Sequence, residues 1–184
     1  MFHIGDRITF LKAIPVQGRC CGIESLSDSL IVGVQSPTPR VEILSEEGAV
    51  LNTSNSSGGQ LFEKPCNITV DKTAETTRIL VSDGGKRTVY MLDEGLQLLQ
   101  AFQLPSGGIL WGLAAVGGGQ MLVLVGDWGT ATLQLLDLTT GRWQTLLGKE
   151  EGLEWPYSLV YNEARKKLCV GGSGDEVKVY TVSE

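Results

Sequence analysis

The sequence has few of the residues that usually build a catalytic or metal centre. It contains one histidine, His3, and its four cysteines form no Cys-x-x-Cys pair. Because structural and catalytic zinc sites draw on histidine and closely spaced cysteine, no metal site is expected. A Gly-x-Ser-x-Gly nucleophile motif is also absent, as is a phosphate-binding glycine loop ahead of a helix. The sequence therefore predicts a protein that is not an enzyme and that holds no cofactor.

Long apolar runs and a basic charge excess are missing as well. No run approaches the roughly 18 apolar residues of a membrane helix. The first residues lack the basic start and long apolar core of a secretion signal. Acidic residues outnumber basic ones by 21 to 15, which gives a net charge of −6. We therefore expect a cytoplasmic protein that does not enter a membrane, and the acidic balance disfavours RNA as a partner.

The main positive feature is a fourfold internal repeat. An apolar residue in the first predicted strand of each copy recurs at spacings of 45, 45 and 46 residues. These residues are Ile23, Ile68, Leu113 and Leu159. Self-similarity at roughly 40–50 residues, with four short strands in each unit, indicates a β-propeller. A two-layer β-sandwich is the alternative, and it would show this regular spacing only by coincidence.

The clearest copy covers residues 64–102. It has a continuous apolar run at 79–81 that suits a strand buried on both faces. Ser82-Asp83-Gly84-Gly85 follows as a strong turn signal, because glycine tolerates positive φ and aspartate bonds nearby backbone amides. Further strands are predicted at 88–92 and 96–102. A single meander of this size buries too little apolar surface to be stable alone, so each copy needs a neighbour.

The motifs of this copy resemble the NHL repeat. They are Pro-x-x-Ile-x-Val-Asp at 65–71, Ile-Leu-Val-Ser-Asp at 79–83 and Arg-x-Val-Tyr-x-Leu-Asp-x-Gly at 87–95. The resemblance implies a six-bladed propeller of the kind found at the C-terminus of tripartite-motif (TRIM-NHL) proteins. It also implies a non-catalytic scaffold that recognises a protein partner, including a substrate of the ubiquitin pathway, or that binds RNA on one face. Some NHL-like propellers are metal-dependent lyases or lactonases with histidine and carboxylate ligands. This third alternative is disfavoured, because His3 is the one histidine of the sequence.

The chain is thus expected to be one all-β domain over residues 1–184, built of about four four-stranded antiparallel blades. The repeat units fall at about 19–54, 64–102, 111–147 and 155–182, with 1–16 as the outer strand of a preceding or closing blade. Two arrangements of the blades are compatible with these positions of the repeat units. In one, the chain is an open arc of a six-bladed propeller. In the other, residues 8–16 pair with residues 177–182 and close a four-bladed ring.

Functional residues are expected on one face of the propeller. The loops that enter the first strand of each blade lie on that face, together with the loops between second and third strands. Tryptophan, tyrosine and arginine on such a face are typical of protein-binding hot spots. The candidate partner-binding residues are Lys86, Arg87, Trp128, Trp155 and Tyr157. Asp83 and Asp127 are expected to accept backbone N–H bonds in their turns, and Trp111 and Trp155 have wedging between blades as an alternative role.

Overall fold

The computed structural model describes residues 11–54, 60–72, 76–105, 107–116 and 120–182. Over these ranges the chain folds into four antiparallel sheets that follow one another in sequence. In each sheet every strand pairs with the next strand along the chain. Sheets built as successive meanders and packed face to face are the blades of a β-propeller, so the predicted fold class is confirmed.

The strands are numbered in chain order, and each blade is given from its inner strand outward. The first blade comprises β1 (Arg19–Leu26), β2 (Ser29–Ser36), β3 (Arg40–Ser45) and β4 (Val50–Thr53). The second comprises β5 (Pro65–Lys72), β6 (Thr77–Asp83), β7 (Thr88–Leu92) and β8 (Leu98–Gln103). The third comprises β9 (Leu110–Val116), β10 (Leu122–Asp127), β11 (Thr132–Asp137) and β12 (Trp143–Leu147). The fourth comprises β13 (Ser158–Asn162), β14 (Lys167–Gly171) and β15 (Val177–Thr181), with 3-10 turns at Lys149–Glu151 and Glu163–Arg165.

The middle strands of the blades are apolar because both of their faces are covered. All five residues of β7 are buried, and so are the last five of β6. An outer strand such as β8 has five exposed residues out of six. A strand packed between two neighbouring sheets needs apolar side chains on both faces, which explains the continuous apolar runs in the sequence.

Three apolar clusters lie between consecutive blades and form the core. The cluster between the first and second blades joins Ile31, Val41 and Ile43 to Phe62, Ile68, Ile79 and Val81. The cluster between the second and third blades joins Leu80, Val89 and Met91 to Leu110, Leu113, Val123 and Val125. The cluster between the third and fourth joins Ala114, Leu124 and Leu133 to Leu153, Leu159, Leu168 and Val170. Burial between blades, rather than within one sheet, is therefore the main source of stability.

Glycines allow the blades to approach closely near the centre. A Cβ atom added at Gly126 would lie 2.9 Å from the backbone oxygen of Pro156 in the next blade. A Cβ added at Gly22 would lie 3.1 Å from the Cα of Asn67. The inner strands of all four blades line one central cavity of about 340 Å³. The four inner strands thus face a common centre.

The segment ahead of the first blade differs from its predicted form in the part that the structure describes. Residues 11–16 join no sheet there. Ile14 and Val16 instead pack on Val32, Val34 and Leu44 of the first blade. Residues 11–16 therefore do not pair with 177–182 as predicted, and because residues 1–10 lie outside the described ranges, only the pairing of residues 8–10 stays a prediction.

The fourth blade has three strands among the described residues. Its third strand, β15, pairs with β14 on one side. In the described ranges, no helix is both long and apolar enough to cross a membrane.

Candidate interaction face

The Asp83 carboxylate fixes the loops of the second blade on the predicted face. It accepts two backbone N–H bonds from the entry loop, from Glu63 at 2.7 Å and from Lys64 at 3.0 Å. It accepts two more from its own turn, from Gly85 and Lys86, both at 2.9 Å. Because Asp83 is fully buried, this carboxylate ties the entry loop to the turn between the second and third strands.

Asp127 does the same in the third blade. Its Oδ1 accepts the backbone N–H of Ile109 from the entry loop at 2.9 Å. In its own turn it accepts the N–H of Gly129 at 3.0 Å, and Oδ2 accepts the hydroxyl of Thr130 at 2.7 Å. The repeat therefore places an equivalent clamp in two successive blades, and both clamps position the side chains beside them.

Three aromatic side chains from the third and fourth blades meet on this face, and we call them the aromatic cluster: Trp111, Trp128 and Tyr157. The Trp111 and Tyr157 rings are 5.4 Å apart between centroids and nearly perpendicular, at 87°. The Trp128 and Tyr157 rings are 6.2 Å apart and tilted by 38°. The ammonium of Lys64, from the second blade, lies 4.9 Å from the Trp111 ring centroid. The edge-to-face contact and the cation over the ring are favourable arrangements that hold the cluster in shape.

The Trp128 indole carries an unused hydrogen-bond donor. Its Nε1 atom is buried and has no acceptor among the residues that the structure describes. Buried tryptophan N–H groups usually find a partner, since an unpaired donor removed from water costs free energy. A ligand acceptor would remove that cost by displacing the atoms that cover Nε1.

Lys86 and Arg87 are neighbours in the turn of the second blade but differ in how they are held. The Lys86 ammonium donates to the backbone oxygens of Gln60 at 2.8 Å and Leu61 at 2.7 Å. Arg87 is exposed and has a positive φ of 53°. Lys86 therefore braces the entry loop, while Arg87 presents its charge outward.

Trp155 lies apart from the aromatic cluster. Its side chain is exposed, its φ is 34°, and it lines a shallow depression with Ala131, Lys149 and Leu153. Of the five candidate partner-binding residues, Trp128 and Tyr157 come together. Lys86 and Arg87 form a separate pair in the second blade.

Trp111 and Lys64 belong to this face although the sequence did not mark them as binding candidates. The sequence places Trp111 in an entry loop with wedging between blades as an alternative role, and a single lysine in an entry loop carries no local signal. One signal could have indicated the Trp111–Tyr157 contact. The two residues hold the same repeat position, two residues before Leu113 and Leu159.

Cys66 holds that same repeat position in the second blade, where its side chain is buried in the core. Burial is the main cause that raises the pKa of its thiol to about 11. Its Sγ donates to the backbone oxygen of Lys64 at 3.2 Å. A thiol held protonated in this way is a poor nucleophile. Among the described residues, no group of three or more histidine, cysteine, aspartate or glutamate side chains could hold a metal ion.

Comparison with known proteins supports the fold but no family. No protein-family model matches the sequence, and no curated protein matches it. The structure is similar to that of the computationally designed Ika4 protein, with a TM-score of 0.62, 15% identity, and coverage of 98% of this chain and 100% of Ika4. It is also similar to the designed Ika8 protein (TM-score 0.60, 14% identity, 89% of this chain) and to the β-propeller domain of Cps50 (Swd1) from Myceliophteria thermophila (TM-score 0.62, 17% identity, 89% of this chain).

These similarities concern architecture only, because identities below 20% carry no functional information. The chain covers 46% of the Ika8 chain and 51% of the Cps50 chain, so it spans about half the length of these two structures. The NHL resemblance has no matching family model behind it and stays a prediction. By its structure, the chain is a β-propeller.

Proposed function

We propose that this chain is a protein-recognition propeller and that the face with the aromatic cluster is its binding surface. The meeting of Trp111, Trp128 and Tyr157 on one face is the observation on which the proposal depends, and the unpaired Nε1 of Trp128 supports it. A donor held without an acceptor, beside two aromatic rings, suits a ligand that brings both an acceptor and an apolar group. A peptide segment has both, in its backbone carbonyls and its side chains.

The chemistry of the surroundings favours a protein over a small molecule. Tryptophan, tyrosine and arginine are enriched at the centres of protein interfaces, where they contribute most of the binding energy. Here Trp128 and Tyr157 are partly exposed, and the exposed Arg87 is in the second blade. The clamps at Asp83 and Asp127 hold the loops in place, so little ordering of the face is needed on binding.

We further propose that the partner is a target recruited in the manner of TRIM-NHL proteins, in the cytoplasm. The NHL-like motifs of residues 64–102 support this finer proposal. In such an arrangement the propeller recognises a substrate of the ubiquitin pathway and a separate catalytic module modifies it. The proposal assigns no catalytic step to this chain.

RNA is the second candidate partner, favoured by one observation. The Lys64 ammonium over Trp111 and the outward charge of Arg87 combine cations with an aromatic platform on one face. Single-stranded nucleic acid is often bound by such a combination. The net charge of −6 and the engagement of Lys86 with backbone oxygens count against it.

A displayed peptide library tests the main proposal. Peptides selected on the wild-type chain are measured against Trp128→Ala and Tyr157→Ala by isothermal titration. We expect each substitution to weaken binding about tenfold or more, as for a hot-spot residue. Leu99→Ala is the control, because it truncates an exposed apolar residue of the outer strand β8 and is expected to leave binding unchanged. Circular dichroism establishes that every variant is folded.

Peptides that bind both cluster variants as tightly as wild type would rule out the aromatic cluster as the binding surface. An electrophoretic shift with single-stranded RNA separates the second candidate. If RNA is the partner, affinity falls steeply with salt and falls again in Arg87→Glu. If a protein is the partner, no shift is expected at physiological salt.

A further inference from the structure

The first blade exposes a residue that the other blades bury. Ile68 and Leu113 hold the repeat position of Ile23, and each packs against the preceding blade. Leu159 does so in the fourth blade, where its side chain lies against Gly112. Ile68 is 4% exposed, whereas Ile23 is 66% exposed. Ile23 thus has the apolar side chain of a contact between blades, but no described blade lies before the first one.

The fourth blade shows the matching feature at the other end. Val41, Val89 and Leu133 hold one position in the third strands, and each is buried against the following blade. Val177 holds that position in the fourth blade and is 68% exposed. Val179, two residues further on, is 59% exposed, while its equivalents Ile43 and Met91 are buried.

The inner strand of the fourth blade adds a third exposed residue to this face. Val160 is 61% exposed, whereas its equivalent in the third blade, Ala114, is buried against the fourth blade. Val160 and Val179 are both paired to Cys169 across the sheet, so they lie in one row on the same face. End repeats of a stable array usually have a polar outer face, and this one is apolar.

The segment ahead of the first blade is already in the position of an interblade layer. Leu61 and Phe62 precede the second blade and pack into the cluster between the first and second blades. Ile14 and Val16 precede the first blade and pack on its outward face in the same way. Within the part of the chain that the structure describes, no sheet covers that face.

We propose that a second copy of this chain covers both faces, so that two chains form one closed ring. The fourth blade of each copy would pack on the first blade of the other, with Val160, Val177 and Val179 against Ile23. We call each contact between a fourth blade and the first blade of the other copy a seam. A twofold axis along the central channel makes the two seams identical, which closes the assembly at two copies. The chain matches about half of two longer propellers, and a second chain would supply a half of equal size.

This proposal does not depend on the aromatic cluster, which lies between the third and fourth blades within one chain. The eight blades of two copies differ from the six that the NHL resemblance implies, so a dimer would count against the TRIM-NHL part of the proposed function. Size-exclusion chromatography with light scattering on the 184-residue protein tests it directly. We expect a mass twice the 19.8 kDa of one chain. A monomer at high protein concentration overturns the proposal, and so does a distribution of open polymers.

Two single substitutions, one at each end, test the seam. Val179→Glu and Ile23→Glu should each give a monomer, because each places a charge in both seams of a homodimer. Both residues are exposed in the single chain, so both variants are expected to fold. Leu99→Glu is the control, since it changes an exposed residue of the outer strand β8 and should leave the dimer intact.

Mixing the two variants separates this head-to-tail contact from any other. In a mixed pair, one seam carries both charges and the other seam is wild type on both sides. We expect the mixture to recover a pair through that intact seam, more weakly than wild type. No recovery, or a dimer that persists in Ile23→Glu, overturns the proposed seam.

Discussion

The carboxylate of Asp83 accepts the backbone N–H of Lys64 at 3.0 Å, across nineteen residues of sequence. The Lys64 side chain in turn lies over the ring of Trp111 in the next blade. A buried turn residue thereby fixes the backbone from which a cation reaches the aromatic cluster. Stability and the shape of the interaction face are coupled at this point.

Asp83→Asn is predicted to destabilise the protein although it keeps the size of the side chain. Oδ1 faces three backbone N–H groups and Oδ2 faces that of Glu63. In either orientation, the asparagine amide of this buried side chain turns a donor toward at least one backbone N–H. We expect a loss of about 1–3 kcal/mol in the free energy of unfolding, measured by urea denaturation.

The control for this prediction is Asp28→Asn, in the exposed turn between β1 and β2. It should change the unfolding free energy by about 0.5 kcal/mol or less, as for most surface substitutions. Equal effects at the two positions would mean that the four bonds to Asp83 contribute little.

Gly126→Ala is predicted to disturb the packing of the third blade on the fourth. The added Cβ would meet the backbone oxygen of Pro156 at 2.9 Å, and backbone cannot move aside as a side chain can. We expect a loss of about 1–3 kcal/mol, as for overpacking in a core. Gly33 holds the same repeat position in the first blade, where a Cβ would meet the Ile68 side chain at an ordinary 3.5 Å.

Gly33→Ala is therefore the matched control and should be tolerated. Thermal unfolding of the two variants beside wild type measures the difference. If Gly33→Ala lowers the melting temperature as much as Gly126→Ala, close approach to Pro156 is not the cause.

The stability of the protein is predicted to fall as the pH rises above 9, partly because of Cys66. An ordinary thiol ionises near its usual pKa of 9.0, whereas burial raises the pKa of Cys66 to about 11 in the folded chain. Above pH 9 the unfolded state therefore binds fewer protons than the folded state. The free energy of unfolding then decreases with pH until about pH 11.

Denaturant midpoints of wild type and Cys66→Ala at intervals from pH 8 to pH 10.5 isolate this contribution. The wild-type midpoint should fall more steeply than that of the variant, since lysines and tyrosines titrate alike in both. Parallel curves would show that the Cys66 thiol ionises as readily in the folded chain as in the unfolded one.

The propeller could be predicted from the sequence because it depends on local and periodic information. Ile23, Ile68, Leu113 and Leu159 repeat at nearly equal spacing, and the turns between strands carry their own glycine and aspartate signals. The sequence also predicts that Asp83 and Asp127 accept backbone N–H bonds, since an aspartate after a buried strand commonly does so.

The composition of the candidate site could not be predicted in the same way. The contact of Trp111 with Tyr157 joins residues 46 positions apart, and it depends on how closely two blades approach. Lys86 and Arg87 look alike in the sequence, but only the folded chain shows which of them is held by backbone oxygens. Such distinctions arise from contacts between loops that are distant in the sequence, which a local pattern along the chain does not encode.

Lys86 and Arg87 are accordingly predicted to respond differently to loss of charge. Lys86→Met removes two short bonds from a half-buried ammonium to the oxygens of Gln60 and Leu61. Because bonds from a charged donor contribute more than neutral ones, we expect a loss of about 1–3 kcal/mol in the free energy of unfolding. Arg87→Met, at the next residue, removes an exposed charge and should change that free energy by about 0.5 kcal/mol or less.

Urea denaturation of both variants at the same ionic strength measures this difference. A larger loss in Arg87→Met than in Lys86→Met would contradict it. The result also decides how binding data should be interpreted. If Lys86→Met is destabilised, weaker binding in that variant reports a displaced entry loop, whereas weaker binding in Arg87→Met reports a lost contact with the partner.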